Sequence, residues 1–566
     1  MTRGHHNPWV VLVVVLSALF VQLIDVSIVN VAIPSIQQEL HASYGAIQLV
    51  IALYQIGFAS VLITAGRLGD IYGRRRMFII GMSGFTIASA ICGAAPNEVT
   101  LVVGRLVQGA FSGLMFPQVL SVIQVTFPPR DRGKAFGVLG ATIGLGTILG
   151  PLLGGLLIQW NPAGLDWRTI FYVNVPIGIA ALVGAVRLLE ESTAPDAPRL
   201  DLPGVAIITV ALLAFILPIT EGRDRGWPPW LVVLLLASIP LFVIFFRYER
   251  WRTAQHKSPL VLMSLFRDRA FTVGLILSFV AFAGVPPFFF SFSIYIQIGI
   301  GFSALGAGLA TFPFAVGSAS GATLSDRLTK KLGTRVLALG LAILVCGMIG
   351  LLLTVRVVGI HPHAYQFAPA LIICGVGFGF FVAPVVNIIL AGIHSEGAGS
   401  ASGVLSTVQM MGGAAGVAII GVIFFGLIST NASYAADAVA PKLRAEFSRL
   451  QVPAEAAQAI EQGFRRCFVD RAKENDPTKI PARCQAAQAL VDRSPLPDEA
   501  KRRIATLVEP NGTITREAIA RDFSRSFQQT LFYEIFVFGL GLLIVFRLPQ
   551  VNPNDHHGPV PEGAPA

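Results

Sequence analysis

Long apolar runs recur along almost the whole chain, and short polar stretches separate them. Each run holds roughly 20 residues, which is the length that a helix needs to cross a hydrocarbon core about 30 Å thick. Backbone groups cannot stay unpaired in lipid, and the runs lack the short alternating segments of a membrane β-barrel. The pattern therefore predicts an all-α polytopic membrane protein.

We predict fourteen spans from these runs. The first eight cover residues 9 to 33, 47 to 67, 77 to 95, 99 to 126, 135 to 160, 168 to 189, 203 to 221 and 229 to 247. The other six cover residues 270 to 297, 305 to 325, 335 to 355, 366 to 391, 400 to 428 and 528 to 546. The composition agrees with this reading, because 54% of the residues are hydrophobic and only 13% are charged.

Loop charge predicts the orientation, because short cytoplasmic loops carry an excess of Lys and Arg. With the N-terminus inside, the basic residues of the short loops fall mostly on the inner side, among them Arg74, Arg75, Arg76, Arg130, Arg132 and Lys134. Both termini are then cytoplasmic in a multi-pass protein of the cell (inner) membrane. Topology and anionic membrane lipid explain the net charge of +10, so we expect no nucleic-acid partner.

One long segment, residues 430 to 526, is polar and mixed in charge, and the topology places it outside. Cys467 and Cys484 both lie in this segment. Because an external compartment permits disulfides, we predict a bridge between them, and two free thiols are the alternative.

A short motif occurs twice, once after span 2 and once after span 10. Leu68, Gly69 and Asp70 precede a basic stretch, and so do Leu324, Ser325 and Asp326. The repeat predicts two related six-helix halves with spans 7 and 8 inserted between them. The predicted units are 1–190, 191–265 (the insert), 266–429 with 527–548, the external 430–526, and a cytoplasmic tail at 549–566.

Several motifs, in this order, resemble the fourteen-span drug:proton antiporters of the major facilitator superfamily, the EmrB/QacA type. They are LIDVSIVNVAIP at 23–34, GRLGDIYGRRR at 66–76, GPLLGG at 150–155, WRTIFYVNVPIG at 167–178, YIQIGIGFSALGAGLATFP at 295–313 and SASGVLSTVQMMGG at 400–413. The resemblance implies the major facilitator fold and export by alternating access, with the substrate bound between the halves.

Asp25 is the acid that we place near the middle of a core span, and Arg105 is the matching cation in span 4. Desolvation favours a neutral acid, which suits a proton carrier, whereas arginine keeps its charge and needs an acid, carbonyls or water. The resemblance implies that the two side chains approach each other. A structural ion pair is the alternative. We expect Glu534 of span 14 to lie close to the external interface and to snorkel.

The residues Gly66, Gly69, Asp70, Gly73 and Arg74 form the loop 2-3 motif, which the resemblance identifies as a cytoplasmic gate. A loop that is merely positive inside would explain the arginines, and we expect Arg74, Arg75 and Arg76 to face lipid phosphates. Span 5 carries a smooth helical face that matches the antiporter motif and should pack against span 10. Its residues are Gly140, Gly144, Gly150, Pro151, Gly154 and Gly155.

Polar residues within apolar runs are the candidates for the substrate cavity, and helix bridging is the alternative for each of them. They are Gln22, Asn30, Tyr54, Gln55, Gln108, Tyr295, Gln297, Asn387 and Gln409. The sequence contains no P-loop, no Cys/His metal spacing and no nucleophile with a base, so we expect neither an enzyme nor a cofactor. The proton gradient would then supply the energy.

Three functions remain open. The first is a drug:proton antiporter that exports amphipathic or cationic compounds. The second is a dedicated exporter of an endogenous metabolite, siderophore or lipid. The third is a membrane sensor or assembly protein that transports nothing. We expect a monomer that acts alone, and the alternative is action with a periplasmic adaptor, which EmrB-type relatives use.

Overall fold

A computed structural model describes residues 7–40, 44–193, 200–222, 225–255, 257, 259–391, 393, 398–474, 480–494, 496–509 and 511–549. All the regular elements in these ranges are helices. The N-terminal half contains α1 (Pro8–Leu40), α2 (Tyr44–Tyr72), α3 (Arg74–Gly93), α4 (Glu98–Thr126), α5 (Pro129–Trp160), α6 (Thr169–Tyr172) and α7 (Asn174–Leu188). Two short 3₁₀ turns, Pro162–Gly164 and Asp166–Arg168, connect α5 to α6.

The inserted pair is α8 (Leu202–Glu221) and α9 (Pro229–Ala254), and a 3₁₀ turn, Met263–Arg267, follows it. The C-terminal half contains α10 (Arg269–Phe282), α11 (Val285–Ile294), α12 (Ala304–Leu332), α13 (Arg335–Val358), α14 (Ala364–Ala391), α15 (Ala398–Arg449) and α19 (Thr513–Val545). Between the last two lie α16 (Ala454–Lys473), α17 (Ala482–Arg493) and α18 (Asp498–Val508). We call the end of the bundle near Arg74 the basic end, and the end near α16 to α18 the cap end.

Local capping chemistry starts several of these helices. The side chain of Asn97 accepts a hydrogen bond from the backbone N–H of Thr100 at 2.9 Å and starts α4. Ser303 does the same for α12 by accepting from the N–H of Gly306 at 3.1 Å. Such caps satisfy N–H groups that the first helical turn leaves without partners.

Twelve helical stretches of the described chain are long and apolar enough to cross a membrane. The helices α5 and α12, with 32 and 29 residues, have the length to cross and pack against each other in the same bundle. The twelve stretches do not include these two helices, so the count of fourteen spans stays a prediction for them.

Span 9 is broken, although the hydropathy predicts one helix over residues 270–297. The chain turns at Ala283 and Gly284, and Pro286 and Pro287 open the second helix, α11. Proline lacks the N–H that would continue the ladder of α10, which explains the break. A π turn at Tyr295–Gly299 then ends the span.

Spans 13 and 14 are longer than predicted, because α15 and α19 continue beyond their apolar parts. Together with α16, α17 and α18 they form a helical cap from residues 430–526, and a disulfide joins Cys467 and Cys484 there. The cap has its own apolar core, which includes Val439, Leu443, Phe447, Phe464 and Ile504. Two membrane helices thus continue without interruption into the cap.

Candidate functional site

The carboxylate of Asp25 is fully buried and is surrounded by donors from two other helices. Arg105 of α4 donates to Oδ2 at 2.6 Å. Gln108, one turn later, donates to Oδ1 at 2.8 Å, and Asn174 of α7 donates to the same oxygen at 2.9 Å. An ionised carboxylate satisfies all three donors, so this conformation suits a charged Asp25 paired with Arg105.

Other groups hold Arg105 independently of Asp25. Its Nε donates to the carbonyl oxygen of Val50 at 3.3 Å, and its Nη1 donates to Oε1 of Gln108 at 2.8 Å. The guanidinium lies 4.1 Å from the ring centre of Tyr54, a cation–π contact. Arg105 would therefore keep its position if Asp25 became neutral.

Asn174 and Ser89 belong to this site but are absent from the residues predicted from the sequence. Asn174 donates to the Ser89 hydroxyl at 3.1 Å, and Ser89 donates to the carbonyl oxygen of Phe171 at 2.9 Å. The available signal was a polar residue inside the apolar run of span 6, because Asn174 lies in the WRTIFYVNVPIG segment. Ser89 had no signal, since serines are common in membrane helices.

A small cavity lies between the two halves. Its free volume is about 10 Å³, which leaves room for about one water molecule. The lining is almost entirely apolar and consists of Leu19, Phe116, Val119, Leu120, Leu139, Ile143, Val382, Val386 and Gln409. The space between the halves is therefore nearly filled at this level. Among the predicted cavity residues whose side chains the structure describes, Gln409 is the one that lines this cavity.

None of the other predicted cavity residues whose side chains the structure describes lines this cavity. Tyr54 and Gln108 belong to the Asp25 site, where the Tyr54 hydroxyl donates to Ser112 at 3.0 Å. Gln22 is buried, and Gln55 and Asn387 are half-buried. The side chain of Asn30 lies outside the described residues.

Tyr295 and Gln297 lie in the π turn and not beside the central cavity. The ring of Tyr295 stacks on Phe527 of α19 with a centroid distance of 4.6 Å. Gln297 donates to Ser293 at 2.6 Å. Both side chains thus make contacts within the C-terminal half, and neither lines this cavity. A structural role is the alternative to a substrate role for these residues.

Asp70 joins the two halves at the basic end. Its carboxylate accepts hydrogen bonds from the backbone N–H groups of Gly399 at 3.1 Å and Ser400 at 3.2 Å, in the first turn of α15. It also accepts from Arg74 at 2.8 Å, and Arg67 lies 4.0 Å away. A fully buried carboxylate on a helix N-terminus is a strong contact, because the free N–H groups and the helix dipole both favour an anion.

Three glycines allow this close approach. A Cβ at Gly66 would collide with the carbonyl oxygen of Gly399, and a Cβ at Gly69 would collide with the Gln118 amide. Gly73 has φ +102°, a conformation that side chains disfavour. Gly66, Gly69 and Gly73 thus have packing and conformational roles that a merely basic loop would not require.

The prediction that Arg74 faces lipid phosphates is wrong, because its side chain is buried against Asp70. Its backbone N–H donates to the carbonyl oxygen of Ser192 at 3.1 Å. The carboxylate of Glu191 then accepts from the backbone N–H of Arg75 and of Arg76 at 3.1 Å each. These contacts cap α3 with the linker to the inserted pair.

The smooth helix α5 packs against α1 on one side and α12 on the other. At Gly150 a Cβ would collide with Ser27 and lie 3.1 Å from the carbonyl oxygen of Ile24. At Gly140 it would lie 3.0 Å from Val382 of α14. The remaining residues of the predicted motif are Gly154, which is buried, Gly155, which is half-buried, and Gly144 and Pro151, whose surroundings lie outside the described residues.

Glu534 is fully buried in α19, so the prediction that it snorkels to the external interface is wrong. The apolar run alone placed it a few residues from the end of span 14. The helix in fact continues into the cap, and the surrounding helices cover the side chain. No cluster of three His, Cys, Asp or Glu side chains suited to a metal ion occurs within the described ranges.

The family model for the Major Facilitator Superfamily matches residues 15–417 of the chain. The chain is 35% identical over 551 residues to a probable actinorhodin transporter of Streptomyces coelicolor, covering 97% of this chain and 93% of that protein. It is 30% identical over 420 residues to the tetracenomycin C resistance and export protein of Streptomyces glaucescens, covering 74% of this chain and 76% of that protein.

The solved structure of the proton:xylose symporter XylE matches with a TM-score of 0.51 at 17% identity. The match covers 72% of this chain and 86% of that one. At this identity the likeness shows a shared fold.

Proposed function

The chain belongs to the Major Facilitator Superfamily, and from this premise we propose that it exports amphipathic or cationic drugs and toxic compounds in exchange for protons. It is a multi-pass membrane transporter and not an enzyme. Energy would come from the proton gradient without a cofactor, and the protein would work by alternating access between the two halves.

The buried Asp25 site is the observation that carries this proposal. While Asp25 is ionised, its carboxylate forms an ion pair with Arg105. A proton on Asp25 removes the negative charge of its carboxylate, while Val50, Gln108 and Tyr54 still hold Arg105. The binding of a proton therefore changes the electrostatics at the centre of the N-terminal half. A substrate cation and a proton would compete for the same carboxylate, which is the requirement for exchange.

In alternating access, Asp70 would act as the gate that keeps the basic end closed. Its hydrogen bonds to Gly399 and Ser400 connect the halves at the basic end. Ser121 and Ser402 add a contact between the halves at 2.8 Å. These contacts must break for the basic end to open, so the described conformation is closed there. The nearly filled cavity, with its apolar lining, fits lipophilic substrates in a more open state.

Loop charge supports a membrane orientation with the basic end and both termini in the cytoplasm. The cap then lies outside the cell membrane. We expect the transporter to act as a monomer without a periplasmic adaptor, with membrane lipid around it.

A second candidate is a dedicated exporter of one endogenous metabolite. The match to the probable actinorhodin transporter covers 97% of this chain, whereas the match to the tetracenomycin protein covers 74%. Because the longer match leaves out only about 3% of this chain, it extends over most of the cap as well as the spans. Strong export of a single compound, with no protection of the host cell against unrelated dyes, would favour this candidate.

Dye and antibiotic efflux from a pump-deficient host tests the proposal, with and without a proton uncoupler. The wild type should export several unrelated cations, and the uncoupler should abolish export. Asp25→Asn should lose export at unchanged membrane abundance, whereas Asp131→Asn, which alters a surface acid, should retain it. Export that resists the uncoupler, or full activity of Asp25→Asn, would refute proton exchange through this site.

A further inference from the structure

A buried polar stripe runs along α19 from the cap into the membrane part. Asp522, Ser526, Thr530 and Glu534 are spaced by four residues, so they share one helical face. Their exposures are 1%, 0%, 0% and 0%. Each step along this stripe is about 6 Å, at about 1.5 Å per residue. An acid stands at either end, and hydroxyl groups lie between them.

Hydrogen bonds connect the outer part of the stripe. Ser526 donates to Asp522 at 3.3 Å, and Thr530 donates to the carbonyl oxygen of Ser526 at 2.8 Å. Asn431 of α15 donates to the Ser526 hydroxyl at 3.0 Å and to Gln529 at 2.7 Å. Polar side chains therefore follow α19 from the cap to one turn before Glu534.

Glu534 lies deep in the C-terminal half. Seven residues before it, Phe527 stacks on Tyr295 near the cap end of span 9. Seven residues after it, Gly541 lies beside Val280 of α10. Glu534 is therefore halfway between these two levels, about 10 Å from each along the helix.

Among the described residues, neither carboxylate oxygen of Glu534 has a hydrogen-bond partner. An ionised carboxylate without a partner in such a place costs several kcal/mol, so this conformation favours the neutral acid. The charges on the helices packed against α19 lie toward the ends of those helices or in the cap and include Arg269, Arg335, Arg356 and Asp437. The other titratable groups on these elements are Tyr295, Cys346, Tyr434 and the adjacent Tyr533.

The break in span 9 lies beside the turn of α19 that holds this acid, because Tyr533 and Phe538 contact Ala283 and Gly284. Pro287 has no N–H to donate to the carbonyl oxygen of Ala283, which an unbroken helix would require. The hydroxyl of Tyr533 donates to that oxygen instead, at 3.1 Å. We call this break the hinge of span 9. Because Tyr533 and Glu534 are consecutive in the chain, a change of charge at Glu534 occurs one residue away from the side chain that contacts the hinge.

We propose that Glu534 is a second proton-binding site, and that the stripe from Asp522 to Thr530 connects it with the cap end. The ligand is a proton, which the site binds when it faces outward through the stripe and releases after the hinge of span 9 has moved. The inference rests on the proposed function, because a second coupling site requires a proton-driven cycle.

Glu534→Gln tests the proposal in reconstituted vesicles. The variant should accumulate a dye cation against its gradient about tenfold less than wild type or worse, yet retain exchange of labelled for unlabelled dye. Glu446→Gln, which alters a surface acid of the cap, should match the wild type in both assays. Accumulation by Glu534→Gln at the wild-type level would overturn the proposal, and so would loss of exchange in a correctly folded variant.

Glu534→Asp covers the case in which the glutamine variant does not fold. It retains an acid on a shorter side chain, so it should still drive accumulation, but with a shifted pH profile. An unchanged profile would contradict a proton site at this position. If the uncoupler leaves wild-type accumulation intact, the proposed function fails, whereas a sensitive wild type with a normal Glu534→Gln variant refutes the second site alone.

Discussion

Replacing Asp70 with asparagine should open the basic end of the bundle. The carboxylate accepts from the N–H groups of Gly399 and Ser400 across the two halves, and it contacts Arg67 and Arg74 within its own half. The contacts within one half persist in both conformations and largely cancel. The two hydrogen bonds to α15 exist only in the closed conformation, so their loss changes the equilibrium.

The size of the shift follows from these two bonds. Hydrogen bonds to a charged group contribute about 1.5–3 kcal/mol each, against about 0.5–1.5 kcal/mol for neutral pairs. In asparagine, one of the two acceptor oxygens is replaced by an NH₂ group. This group is a donor, so it cannot accept a hydrogen bond from the backbone N–H that faces it. The closed conformation should lose about 2–4 kcal/mol, which moves the equilibrium toward the open state by roughly 30- to 1,000-fold.

Spin labels measure the opening. Labels at Arg76 and Lys331, which are exposed at the basic end of the two halves, report the distance between α3 and α12. Cys346→Ala removes the exposed thiol, and the remaining cysteines are buried or disulfide-bonded. Asp70→Asn should populate a longer distance, and Asp131→Asn should not. An unchanged distance distribution in Asp70→Asn would refute the role of these hydrogen bonds.

Three further changes have distinct expected results. Asn174→Leu removes one of three donors to Asp25 and weakens the hold on its carboxylate, so dye efflux should fall at unchanged membrane abundance; efflux at the wild-type rate would contradict this role. Gly150→Val forces side-chain atoms into Ser27 and should destabilise the packing of α1 on α5 by about 1–3 kcal/mol, measured as thermal stability in detergent, with wild-type stability as the contrary result. Cys484→Ser opens a loop of 17 residues, destabilises the cap by about 3 kcal/mol and should speed its limited proteolysis; a cap as resistant as the wild type would refute this.

The helices could be predicted from hydropathy because lipid requires each span to satisfy its own backbone. Span 9 shows the limit of that reasoning. Pro286 and Pro287 signal a break, yet a run of apolar residues reads as one span whether or not the helix continues. The outward extensions of α15 and α19 were also hidden, since a helix can leave the membrane without any change in its backbone.

The Asp25 site was predictable in part. A lone acid in an apolar run marks a candidate, but its partner lies 80 residues away in the chain, and the family resemblance alone suggested the pairing. Asn174 carries only a weak signal, a polar residue within the apolar run of span 6. The depth of Glu534 depends on how α19 packs against α10 and α13, which hydropathy does not report.

Proton release on substrate binding tests the central claim most directly, that substrate and proton compete at Asp25. Purified protein in a weakly buffered detergent solution, with a pH indicator dye, should release protons when a cationic substrate such as ethidium is added. Asp25→Asn should bind the dye without this release. Equal proton release from the wild type and from Asp25→Asn would contradict the account.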